Sequence, residues 1–532
     1  MSDTSLTTKH FTDDPGVQHY ITDLKTRCGE LCEKRHISDV YDEAGHPYVN
    51  LVQEGGGVLG IALVGYTYAL ESVGIRFLKL AGTSAGAINT VLLAAVVPDE
   101  TYPTKSEKIL SYLASKDLFD FVDAHWFPRW LIKSLIKTKN TLRNLKLLAL
   151  FTLILLVAGP ILFWFLPLTW GLFLIRISAA GWMMVLAKCV FGAYLWHRFK
   201  KNRWGIANGN EFRDWISGIL RKEIKGSAAA SDVTIQDFEE HVEKNASKDL
   251  WLSKEYIRDM NPLQSSTKSW GRNYIEDLIN PNFSANPGWV TFITSDITTK
   301  NKIELPRMWP LYRTRIQRNE LFVADFVRAS MSIPIFFRIH KITGIPSAGE
   351  NGLPETAAQS EIRQNWESKD FLSYPVNRKI PSQVCFVDGG ALSNFPINIF
   401  FNPNISRPRL PTLGIRLGED NEINQVFRSV SKYLGSLINT IRYHYDKDFQ
   451  VKNTEFMKTT AFLKVDQFNW LNFNLTDNEK LQLFRIGVEA AHEFLISREM
   501  RETTSGMSVE KGFDFTEVQN ARPAVLEKLK DL

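Results

Sequence analysis

Apolar positions along this chain fall into two kinds of run. Short ones, Tyr48–Gln53, Phe77–Ala81, Trp289–Ser295, Gln383–Val387 and Thr412–Leu417, have the length and side chains of buried strands, with Lys302–Leu305 as a possible hairpin partner of the third. Others recur at helical spacing. Leu63, Tyr66, Leu70 and Val73 form one stripe, closed by Gly74 as a C-cap, and Ala85–Ala95 continues as another helix. Phe212, Trp215, Ile216 and Ile219 mark a helix within Asn208–Lys225, and Phe322–Ser332 predicts one that stops before Ile333-Pro334. Thr476-Asp477-Asn478-Glu479 is a capping box ahead of Leu481, Phe484, Val488, Ala491 and Leu495. Val17–Lys34 is a plausible cap helix, Gly344–Asn365 has the composition of a surface loop, and the chain from about Ser497 resembles a polar tail. The order strand, turn, helix, strand, turn, helix over residues 48–95 predicts a central, mainly parallel sheet with right-handed crossovers.

One stretch breaks the globular pattern. Leu147–Ile175 is 29 residues without a charge, and a second apolar stretch runs on to Trp196, interrupted only by Arg176 and Lys188. About 20 apolar residues suffice to cross the hydrocarbon of a bilayer. Lys133, Lys137, Lys139, Arg143 and Lys146 precede the stretch, while Arg198, Lys200, Lys201 and Arg203 follow it, which places both ends on the cytoplasmic side. The expectation is a transmembrane-like hairpin over 145–197, meeting the bilayer through 147–196 and turning near Pro167–Gly171. A re-entrant segment and a helical pair buried in a soluble protein are the other readings. The expected organisation is a cap segment at 1–45, a catalytic domain at 46–417 interrupted by the hairpin, and a C-terminal helical region and tail at 418–532.

Composition narrows the function classes. A formal charge of +5 over 532 residues gives no argument for nucleic acid. Cys28, Cys32, Cys189 and Cys385 are too scattered for a disulfide framework or a metal site, so no metal or cofactor is expected. The first residues, MSDTSLTTKHFTDDPG, lack the basic start and apolar run of a secretory signal.

Two glycine turns carry candidate chemistry. Gly55-Gly56-Gly57-Val58-Leu59-Gly60 follows one strand and opens a helix, so its N–H groups can form an anion-binding nest. It also satisfies G-x-G-x-x-G, but the next strand runs into a serine turn where a dinucleotide site wants an acidic residue, and no G-K-[ST] follows. A purely structural turn stays open. Gly82-Thr83-Ser84-Ala85-Gly86 fits the G-x-S-x-G elbow, which exposes a serine hydroxyl between strand and helix. Asp388-Gly389-Gly390 ends a later strand, where a carboxylate is placed for a site and equally for capping the next turn. Ten histidines are present, none in a glycine-marked turn at a strand end, though a distant one could still complete a triad.

In that order the three motifs resemble the signatures of the patatin-like phospholipase family, and Ala329–Pro334 is similar to its helix-and-proline block. The resemblance spans roughly Tyr48–Leu417 without the apolar insertion. It implies a three-layer α/β sandwich and a lipid acyl hydrolase with Ser84 as nucleophile and Asp388 as base. The oxyanion hole falls on Gly55, Gly56, Gly57, Gly60 and Ala85, with Gly82, Gly86, Gly389 and Gly390 shaping the turns. Leu59 departs from the pattern, since many members carry a basic residue there. The substrate implied is a phospholipid or lysophospholipid ester in a membrane. An inactive membrane-anchored scaffold of the same fold and a soluble serine esterase or thioesterase are the competing readings.

Overall fold

The computed structural model describes residues 6–31, 36–124, 129, 168–246, 249–252, 272–280, 288–346, 354–375, 378–418, 430–496, 499–502 and 508–530. It divides into two units, Met1–Leu118 with Phe212–Ser332 and His340–Leu532, and Phe119–Glu211 with Ile333–Ile339.

The first unit is built on one mixed sheet of eight strands: β1 (Tyr48–Gln53), β2 (Arg76–Thr83), β3 (Val290–Asp296), β4 (Asn301–Leu305), β5 (His340–Thr343), β6 (Gln383–Asp388), β7 (Thr412–Leu417) and β8 (Thr460–Leu463). Their order is β8-β7-β1-β2-β3-β6-β5, with β4 also on β3. Pairing is parallel from β8 through β3 and antiparallel among β3, β4, β5 and β6. The expected mainly parallel sheet is therefore parallel on one side only.

The reversal has a consequence at β3. β4 takes one edge of β3 from Phe292 to Asp296. The other edge is shared: β2 pairs there as far as Thr83 opposite Ile293, and β6 arrives from the opposite direction to place Asp388 opposite Thr294. Two strand ends distant in sequence thus meet opposite successive residues of one strand.

The helices named below are α1 (Pro15–Leu31), α2 (Gly60–Ser72), α3 (Ala85–Ala95), α4 (Lys105–Ala114), α6 (Val323–Ser330), α7 (Val430–Lys452) and α8 (Asp477–Ile496) in the first unit, and α5 (Leu168–Lys201) in the second. α2 is buried from Ile61 to Glu71 with no polar face, as a helix enclosed on all sides must be. It packs directly on α8. A Cβ on Gly65 would stand 2.1 Å from the Phe484 carbonyl oxygen and one on Gly487 2.0 Å from that of Ala62, so glycine on both helices sets the close approach.

Three expectations fail here. Gly344–Asn365 is not all loop: Thr356 caps a helix over Ala357–Glu367 that buries Ile362 and Trp366, whose indole N–H donates to the Leu311 carbonyl at 2.7 Å. The C-terminal region is not only helical, because β8 extends the sheet beside β7. Nor is the end a tail. Glu499–Glu502 pairs with Ser508–Lys511, and the helix Phe515–Lys530 buries Phe515, Val518, Gln519 and Arg522. These segments are short or rich in polar residues, and their few apolar anchors gain meaning only against a partner surface.

Residues 145–167 of the expected hairpin lie outside the described residues. Its second arm falls within α5, which already includes Leu168–Gly171, since no proline follows Pro167 to break that helix. Among the described residues no helix is long and apolar enough to cross a membrane. The described side chains of α5 begin at Trp182; Trp182, Met183, Leu186 and Val190 are each at least 60% exposed.

The core also holds a charge pair that the strand pattern did not foretell. Lys79 of β2 is bonded to Glu276, and both are nearly inaccessible. Removing one partner leaves a buried, uncompensated charge, so Lys79→Met is expected to cost about 3–5 kcal/mol. Urea unfolding checks this, with Lys79→Met/Glu276→Leu recovering most of the loss.

Candidate active site

β1 delivers the first turn. Glu54, buried at its end, accepts from the Leu417 N–H at 2.6 Å and the Asn394 side-chain amide at 3.0 Å, which fixes where the glycines begin. Gly57 has φ of +56° and lies so close to Trp470 that a Cβ would stand 2.3 Å from its carbonyl oxygen. Only glycine combines that dihedral with that approach. The five expected oxyanion donors then separate into two groups. The Gly55 N–H donates to the Asn394 carbonyl at 3.0 Å and the Gly60 N–H to the Gly57 carbonyl, so neither is available to a ligand. Among the described residues the N–H groups of Gly56, Gly57 and Ala85 have no protein acceptor, Ala85 being the first residue of α3, where such donors are left over by helix geometry.

β2 delivers the second turn. Ser84 has φ of +52° and ψ of −115°, a conformation in which a residue with a Cβ is strained. The turn is held from both sides. A Cβ on Gly82 would meet the Gly86 carbonyl oxygen at 2.3 Å, and one on Gly86 would meet that of Gln53 at the same distance. The Ser84 N–H donates to Ser330 Oγ at 3.0 Å, and that hydroxyl donates in turn to the Ile293 carbonyl at 2.6 Å. α6 therefore pins the elbow to β3.

Asp388 ends β6 beside it. The carboxylate accepts from the Gly390 N–H at 2.8 Å and its own N–H donates to the Ser332 carbonyl at 2.8 Å. A Cβ on Gly389 would strike the Ile293 carbonyl oxygen at 2.2 Å, so the turn needs that glycine to come this near β3. The Ser84 hydroxyl donates to Met331 Sδ at 3.3 Å, and its nearness to Asp388 favours the ionised carboxylate. Burial outweighs the Arg442 charge and the hydrogen bonds, and Asp388 titrates above the ordinary carboxylate range. Ser84 is 2% exposed and Asp388 6%, so the pair is covered.

Asn394 ties the first glycine turn to the segment that follows Asp388-Gly389-Gly390. Its side chain donates to Glu54 and to the Gly55 carbonyl, each at 3.0 Å, and accepts from Arg442 Nη2 at 2.5 Å, while its backbone carbonyl takes the Gly55 N–H. Sequence reasoning passed over Glu54, Ser330, Asn394 and Arg442. Glu54 and Asn394 adjoin the glycine motifs and could have been suspected; Arg442, in α7, carries no local signal. Several histidines have partners elsewhere: His46 is on Asp42, His241 on the Ala95 carbonyl and His492 on Asp23.

The family model described as Patatin-like phospholipase matches residues 51–168 and 189–401, more than half of the chain. The chain belongs to the patatin-like phospholipase family. Membership implies a lipid hydrolase. The family's match omits residues 169–188, inside α5, and ends before α7. The chain is also similar to the uncharacterized protein YqhO of Bacillus subtilis (strain 168), with 23% identity over 451 residues covering 84% of this chain and 98% of that protein. Its likeness to the crystal structure of VipD from Legionella pneumophila has 13% identity, covers 86% of this chain and 70% of that one, and has a TM-score of 0.29, too low to carry an argument.

Proposed function

We propose that this family member hydrolyses carboxylic esters of phospholipids or lysophospholipids, with Ser84 as nucleophile and Asp388 as its base. The observation that carries the reading is the meeting of the Ser84 elbow and the β6 terminus along one edge of β3, beside free N–H groups of the glycine loop. In the first step the Ser84 hydroxyl proton passes to Asp388 as Oγ bonds to the ester carbonyl carbon. The N–H groups of Gly56, Gly57 and Ala85 stabilise the oxyanion. Protonated Asp388 then gives its proton to the departing alcohol; ionised again, it takes one from the water that attacks the acyl-enzyme and returns it to Ser84 Oγ as the bond to the acyl carbon breaks and the fatty acid leaves. A base that titrates above the ordinary carboxylate range is better suited to both transfers, provided that it is ionised at working pH.

The segment 147–196 is proposed to contact the bilayer, with the catalytic unit on the cytoplasmic side. Large apolar side chains along α5 stand in solvent, and Arg198, Lys200 and Lys201 at its end would attract anionic head groups. The test is fatty-acid release from vesicles of mixed lipids, with fluorophosphonate labelling and membrane partition of the same preparations. Failure of the wild type to label would favour the inactive scaffold, and recovery only in the soluble fraction would remove the bilayer contact. Within this scheme Gly57→Ala is expected to lower kcat by about 10²–10³-fold with little change in KM, because it displaces an oxyanion donor. Steady-state kinetics on a soluble ester check it, and an unchanged kcat would exclude Gly57 from the hole.

A further inference from the structure

We infer that Arg442, on a helix beyond the residues matched to the family, is a positioning residue that supplies the counter-cation of the Asp388 carboxylate and keeps it ionised as the base. The inference rests on the assignment of Asp388 given above, and its geometry is independent of the family match, which ends at residue 401.

A carboxylate as enclosed as Asp388 ionises only if something replaces its lost hydration. The Gly390 N–H donates to it, Ser84 lies close enough to favour the ionised form, and among the described residues acting on it the one charge is Arg442. The approach depends on Gly390. A Cβ there would lie 2.9 Å from Arg442 Nη2 and 3.0 Å from Asp388 Oδ1, so cation and carboxylate flank the same glycine. Arg442 is itself fixed. Its Nη2 donates to Asn394 Oδ1, and its guanidinium lies 5.7 Å from the Trp470 ring centroid and 5.6 Å from that of Tyr443.

Among the described residues the neighbouring elements supply no substitute. Leu59 in the glycine loop is apolar and buried. Arg416 faces Glu54 at 3.9 Å, Arg328 of α6 donates to Ser332 Oγ, and Lys302 of β4 pairs with Glu304. Two further charged groups near the turn among the described residues are acidic. Glu54 joins it through Asn394, and Asp446 of α7, pushed up to about 6 by burial, accepts from Ser393 Oγ and the Phe395 N–H. Both increase the need for a cation. Among the described residues Arg442 and Asp388 form no direct ion pair. That separation matters, since a direct pair would hold the carboxylate low and leave it a poor proton acceptor.

The test begins without turnover. Thermal unfolding of wild type, Arg442→Gln, Asp388→Asn and the double variant at pH 8 forms a cycle. The Tm loss from Arg442→Gln is expected to shrink to less than half once Asp388 is Asn; equal losses in both backgrounds would overturn the inference. The second reading is the pH dependence of fluorophosphonate labelling. The acid limb should move up by about one unit in Arg442→Gln, a tenfold change in the ionisation constant, and return most of the way in Arg442→Lys. A limb that stays in place in the Gln variant would overturn the inference. Absence of labelling in the wild type at every pH would instead remove the assignment of the dyad, and the unfolding cycle would still decide the coupling.

Discussion

Ser84→Ala is expected to abolish fluorophosphonate labelling and to lower fatty-acid release by about four orders of magnitude or more. Loss of a serine nucleophile leaves only the catalysis that binding and oxyanion donors supply by themselves. The hydroxyl is not a structural group here. The bonds that hold the elbow come from the Ser84 N–H to Ser330 and from the packing of Gly82 and Gly86, none of which alanine removes. Ser84→Gly separates strain from chemistry. It is expected to be equally inactive and more stable by about 1 kcal/mol, because glycine adopts φ of +52° without a Cβ penalty. Retention of wild-type hydrolysis in either variant would end the assignment of the nucleophile. A loss of stability in the glycine variant would show that the turn is not strained.

Asp388→Asn is expected to lose activity on a comparable scale and yet to be at least as stable as the wild type at neutral pH. The sign follows from the environment of the carboxyl. Its pKa is higher folded than unfolded, so the stability it contributes is fully present below the unfolded value of 3.8 and is lost as pH rises through the higher folded value. At neutral pH the wild type carries an enclosed charge that asparagine does not. The Tm advantage of Asp388→Asn should therefore narrow as pH falls through the folded pKa. Circular dichroism melts across pH, paired with labelling assays, read both effects. An asparagine variant that is inactive and markedly less stable at neutral pH would make Asp388 a structural cap of its turn.

The pair of expectations describes a site whose parts differ in how visible they are from sequence. Gly57, Gly82, Gly86 and Gly389 are legible because each marks a backbone position that a side chain cannot occupy, and glycine is nearly the sole solution to that problem. Asn394 and Arg442 solve problems of charge and hydrogen bonding, for which many residue types would serve, and so leave no local signature. The same contrast holds for donors. Five N–H groups of the two turns looked equivalent in sequence, and only pairing with Asn394 and with the loop's own carbonyl removes Gly55 and Gly60.

What the sequence determined by itself is what local periodicity and local backbone demands dictate. Strand β7 and helix α3 fall at their expected limits, β1 likewise, and the three glycine motifs stand at strand ends as expected. Tertiary structure alone decided the direction of β6, and with it the meeting of Asp388 and Ser84, because a strand's apolar pattern is the same whichever way it runs. It also decided that Thr460–Leu463 joins the sheet and that Glu499–Glu502, Ser508–Lys511 and Phe515–Lys530 form ordered elements. Their buried side chains are too sparse to register until the surfaces they cover exist, and Arg442 takes its place beside Asp388 only when α7 is folded against the turn that holds it.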